Sequence, residues 1–93
     1  MALVLIADDS PTDQHVLARA LEKHGFETLI ARDGQEAIRL AGERSPDVIL
    51  MDVRMPKMDG IEACTIIRDR HPATRVMMLT TFDLHDYVPA ALR

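Results

Sequence analysis

Three acids and a threonine stand where apolar runs break off. Asp8 and Asp9 follow "ALVLIA", Asp52 ends the apolar part of "VILMDVRMPKMDG" (residues 48–60), and Thr80 follows "VMML". Taken singly, each is ordinary. An aspartate pair ahead of a helix usually caps it, and a polar residue after a strand usually makes a turn. Their joint placement is what counts, because ligands of parallel α/β sheets collect at the carboxyl ends of the strands. Carboxylates gathered in one small volume repel one another, and a hard divalent cation relieves that repulsion. Mg2+ (or Mn2+) suits such a cluster, since it accepts carboxylates and keeps waters that a phosphate can displace.

The surrounding pattern supplies elements able to position these groups. The first apolar run, Ala2 to Ala7, has no polar face, as expected of a strand covered on both sides. Ser10, Pro11 and Asp13 provide an N-cap, a first helical residue and a first-turn acid for a helix from Pro11 to His24, with Val16, Leu17, Ala20 and Leu21 at helical spacing and Gly25 as its stop. Phe26–Ala31 reads as a second, more polar strand suited to an edge. Asp33 and Glu36 form a capping-box pattern for a second helix, and Ser45-Pro46 marks the turn into a third strand, Asp47–Met51. Asp59 and Glu62 cap a third helix ending at His71-Pro72, Arg75–Thr80 is a fourth strand, and Asp83–Arg93 reads as a fourth helix with Pro89 in its first turn or at a kink. Strand and helix alternating in this way predict right-handed βαβ units around a parallel sheet. If strands one and three are neighbours, as in a flavodoxin-like order, Asp8, Asp9 and Asp52 meet at one sheet edge.

Composition narrows the rest. A chain of 93 residues holds one domain, and 47% apolar with 28% charged residues suits a globular protein. With Phe26, Phe82 and Tyr87 its only aromatics, the core must be aliphatic. The net charge of −4 argues against direct nucleic-acid contact by this segment. Cys64 has no partner for a disulfide, which suits a reducing cytoplasm, and the six-residue apolar start is too short for a signal peptide or a membrane span. His15, His24, His71 and His85 lack metal-ligand spacing. The methionines read as gap-fillers rather than a binding box.

The segments "LIADDS", "VILMDVRMPKMDG" and "VMMLTTF" resemble the receiver domain of two-component response regulators, in order and interval, over the whole chain. The resemblance implies a chemotaxis-receiver-like, flavodoxin-like doubly wound sheet and a phosphorylation-controlled module. Asp52 is then the expected phosphoacceptor, receiving a phosphoryl group from a sensor histidine kinase or phosphotransfer protein. Asp9, Asp52 and the Arg54 backbone carbonyl are the expected metal ligands, with Asp8 acting through water and through its field. Thr80 matches the switch hydroxyl that binds the phosphoryl group. Pro56 and Gly60 have backbone roles in the loop beside the site.

Residues 1–93 accordingly read as a single receiver domain of about four strands and four helices, incomplete at its C-terminus. The fifth strand, which carries a phosphoryl-contacting lysine in the family, and the fifth helix are expected to be missing from these 93 residues. The apolar fourth strand is written for a central place, so self-association through it is expected. The closing "LTTFDLHDYVPAALR" is similar to NarL-type regulators, in which a DNA-binding domain follows the receiver. An inactive or dominant-negative receiver fragment is one alternative. A haloacid-dehalogenase-type phosphohydrolase is another, but its D-x-D-x-T pattern needs an acid where Arg54 stands.

Overall fold

The computed structural model describes residues 2–55 and 58–79. In chain order they form β1 (Leu3–Ala7), α1 (Pro11–Lys23), β2 (Glu27–Ala31), α2 (Gly34–Arg44), β3 (Val48–Asp52), α3 (Gly60–Arg70) and β4 (Arg75–Leu79). The strands make one parallel sheet in the order β2-β1-β3-β4. This is the flavodoxin-like doubly wound arrangement expected from the alternation of elements. Thr80, Pro56, Lys57, Tyr87, Pro89 and the expected fourth helix lie outside the described residues.

Local chemistry sets the helix ends. Ser10 caps α1 by accepting the Asp13 N–H at 3.3 Å, with Pro11 pre-set for the first turn. Asp33 accepts the Glu36 N–H and Asp59 the Glu62 N–H, each at 2.8 Å. At α2 the Glu36 carboxylate also accepts the N–H of Arg32, the residue before the cap, at 3.3 Å. Gly25, at φ 86°, supplies the left-handed turn after α1. Ser45 takes the same region at φ 47°, where a side chain is strained.

Handedness then places the layers. The connection through α1 moves one way across the sheet, from β1 to β2, whereas those through α2 and α3 move the other way. Right-handed crossovers therefore put α1 on one face and α2 with α3 on the opposite face. The main core lies under α2 and α3, where Leu5, Ala7, Ile49 and Met51 of the sheet meet Ala37, Ala41, Ala63 and Ile67. Small alanines let these helices approach closely, which is how an aliphatic core suffices.

One expectation needs correction. The apolar stripe expected to bury α1 does not do so: no α1 residue is fully buried, Val16 is 59% exposed and Ala20 also faces solvent. Among the described residues α1 lies against β1 and β2, which leaves the Val16 side of its stripe in solvent. The fourth strand, apolar enough for a central position, is an edge among the described residues with Met77 58% exposed, in accord with the expectation that it presents an open pairing edge. The more polar β2 is the other edge, as expected. Among the described residues no helix is long and apolar enough to cross a membrane.

Candidate metal and phosphoryl site

The winding direction reverses between β1 and β3, and the carboxyl ends of these two strands open the crevice in which such sheets bind ligands. β1 and β3 pair in register from Val4 opposite Val48 to Ala7 opposite Met51. The next residue on each strand is an aspartate. That single step of register brings Asp8 and Asp52 together, and Asp9 follows on the loop. One carboxylate oxygen from each of Asp8, Asp9 and Asp52 lies within 4.8 Å of the others. Asp8 and Asp52 are buried and Asp9 is exposed, so the cluster has a wet side and a dry floor.

Asp8 is held on three sides. Its N–H donates to the Ala31 carbonyl at 3.0 Å, its Oδ1 accepts the Ser10 N–H at 2.9 Å, and its carbonyl accepts the Gln14 side-chain amide. Its Oδ2 is buried with no hydrogen-bond partner among the described residues. Burial pushes the Asp8 carboxyl up to about 6, and the charges of Asp52, Asp13 and Asp9 add to this, against the opposing Ser10 hydrogen bond. A buried, unsatisfied carboxylate oxygen on a residue that meets two further acids fits a hard cation. Oxygen donors alone, with one exposed member that leaves room for water, suit Mg2+ better than a softer metal.

Asp52 is the last residue of β3, one position later than the expected strand end. Its Oδ1 accepts the Arg54 N–H at 3.1 Å, a tight local turn that anchors the carboxylate at the end of the strand. Val53 braces the peptide behind it, with its N–H on the Leu79 carbonyl at 3.2 Å and its own carbonyl accepting the Gly60 N–H at 3.0 Å. Gly60 is required for a harder reason than easing the chain into α3. A Cβ there would lie 2.0 Å from the Asp52 carbonyl oxygen, so only glycine lets α3 begin against the end of β3.

The structure thus brings Asp8, Asp9 and Asp52 together and puts Arg54 and Gly60 beside them, while Thr80 and Pro56 lie outside the described residues. Sequence reasoning missed Gln14. The available signal was its place on the first turns of α1, six residues after Asp8, where a long amide can reach back to the loop.

Comparison with known proteins agrees with this geometry. The response regulator receiver domain family matches residues 4–93. The chain is 42% identical over 85 residues to the protein PilH of Pseudomonas aeruginosa, covering 89% of this chain and 70% of PilH. It is 39% identical over 90 residues to the regulatory protein AtoC of Escherichia coli, covering 97% of this chain but only 20% of AtoC. Among solved structures, the response regulator protein TrrA of Thermotoga maritima, in complex with Mg(2+)-BeF, superposes with a TM-score of 0.85 at 25% identity, over 98% of this chain and 80% of that one.

Proposed function

The chain belongs to the response regulator receiver domain family, and from that premise we propose that residues 1–93 form one receiver domain in which Asp52 accepts a phosphoryl group in the presence of Mg2+ or Mn2+. The observation that carries this reading is the meeting of Asp8, Asp9 and a buried, strand-end Asp52 within 4.8 Å. Asp8, Asp9, Asp52 and the Arg54 backbone carbonyl would hold the cation. When bound, it offsets the charge gathered on the acids and on the transferring group.

The protein's own contribution is positioning. β3 holds the Asp52 carboxylate at the edge of the sheet, and the Arg54 N–H fixes its rotamer. A carboxylate oxygen of Asp52 forms a bond to phosphorus as the bond from phosphorus to the donor's imidazole nitrogen breaks. The imidazole leaves with the electron pair, and an aspartyl phosphate remains. Sensor histidine kinases or phosphotransfer proteins carry the phosphohistidine that fits this role. The new group brings roughly −1.5 to −2 charges and three strong acceptors, for which Thr80 is the proposed hydroxyl partner. The TrrA structure, with its Mg(2+)-BeF, supports the pairing of cation and phosphoryl mimic in this fold. Arg54 serves Asp52 through its N–H where a phosphohydrolase would place a second acid, so hydrolytic turnover is not favoured. The buried thiol of Cys64 accords with a cytoplasmic setting.

The test is labelling with Mg2+ and acetyl phosphate, read by intact-protein mass spectrometry and peptide mapping. One added HPO3 at Asp52, absent without the cation and absent in Asp52→Asn, is the expected result. Label that persists undiminished in Asp52→Asn would overturn the assignment.

A further inference from the structure

Asp8 has four polar main- and side-chain atoms, and the protein satisfies three of them in three different ways. Its N–H is tied to β2 through Ala31, its Oδ1 to the loop through Ser10, and its carbonyl to α1 through Gln14. The last is the only one of the three made by a side chain of another element. Among the described residues it is the hydrogen bond that holds the plane of the Asp8–Asp9 peptide, and that plane helps set where the Asp9 carboxylate stands relative to Asp52. Gln14 is half-buried and its own N–H is already used on the Ser10 carbonyl at 2.9 Å, so its backbone is fixed within α1 and its side chain works from a rigid base.

We propose that Gln14 is the positioning residue of the acidic site: by donating to the Asp8 carbonyl it fixes the Asp8–Asp9 peptide so that the three carboxylates converge on one cation. It touches neither the cation nor the phosphoryl group. The inference rests on the reading of the cluster as a metal site and deepens it. It also explains why a polar side chain on the first turns of α1 points inward to a carbonyl instead of outward to water.

The experiment is Mg2+ binding to the full chain, by calorimetric titration at neutral pH, with thermal melting of the metal-free protein alongside. Gln14→Met keeps the length and helix preference of the side chain and removes the donor. Outer-shell partners of metal ligands are worth about tenfold or more in affinity, so Gln14→Met is expected to weaken Mg2+ binding about tenfold with its metal-free melting temperature little changed. Gln14→Glu separates positioning from charge. It adds a negative charge near the cation, which by attraction alone would tighten binding, yet it cannot donate to a carbonyl. Weaker binding by Gln14→Glu is therefore expected. Wild-type affinity in Gln14→Met, or tighter binding in Gln14→Glu, would overturn the positioning role. Failure of the wild-type chain itself to bind Mg2+ would instead overturn the metal-site reading beneath it.

Discussion

Replacing Asp8 by asparagine should make the metal-free protein more stable while removing its affinity for Mg2+. Asp8 is 0% exposed, and its carboxyl is raised from 3.8 to about 6, first by burial and then by its acidic neighbours. The folded state therefore holds this proton more tightly than the unfolded chain does. Between those two values the folded form is protonated and the unfolded form is not, so stability falls as pH rises and levels off once both are ionised. At 1.36 kcal/mol per pKa unit, the penalty above about pH 6 is about 3 kcal/mol. The asparagine carries no charge, keeps the acceptor for Ser10, and turns a donor toward Asp9 and Asp52 in place of a repelling oxygen. Asp8→Asn should thus gain up to about 3 kcal/mol near pH 7.5, and for a domain of this size each kcal/mol is worth roughly 4–8 °C in Tm. Urea and thermal unfolding in chelator, from about pH 4 to pH 7.5, would follow it. The wild type should lose stability across that range while the variant stays comparatively flat, so the gap opens with rising pH. Added Mg2+ should then raise the wild-type Tm and leave the variant unmoved. A variant no more stable than wild type near pH 7.5 in chelator, or a gap that does not change with pH, would refute the reasoning.

Other consequences are simpler. Gly60→Ala places a methyl 2.0 Å from the Asp52 carbonyl oxygen and should cost about 1–3 kcal/mol in urea unfolding, weakening Mg2+ binding as Asp52 shifts. Ser45→Gly relieves a side chain held at φ 47° and should stabilise by about 1 kcal/mol on the same assay, with phosphorylation by acetyl phosphate unchanged. Ser10→Ala removes the cap on α1 and should cost about 1 kcal/mol, seen as a lower urea midpoint at equal slope. Ile67→Ala empties a fully buried position in the α3 face of the core and should cost about 2–5 kcal/mol.

Much of this was legible beforehand, for reasons that lie in particular residues. Continuously apolar strands such as β1 announce burial on both faces, and Ser10, Asp33 and Asp59 announce helix starts through one oxygen each. The acid cluster followed once the strand order was granted, because a register that ends in aspartate on both β1 and β3 leaves little choice. Gln14 was not legible in that way. Its place on the first turns of α1 allows the reach, but residue type and spacing do not decide whether the side chain turns back to a carbonyl or out to water. The exposure of Val16 was hidden for a related reason: a helical stripe states that a face is apolar, not how much of the sheet lies opposite it. Gly60 was singled out for its freedom, whereas the structure shows that the deciding quantity is clearance.

Val53 has a consequence of its own. With its N–H on the end of β4 and its carbonyl on the start of α3, the residue after Asp52 joins three elements through the two peptides that flank it. A joint loaded from three sides resists rotation, so charge arriving at Asp52 cannot be absorbed by a local swing of its backbone. Either the surrounding side chains give way, or the tip of β4 and the first turn of α3 shift as attached members. The Val53 and Gly60 amides are thus natural gauges of strain, and their hydrogen-exchange rates should register phosphorylation before any amide in the body of β1 does.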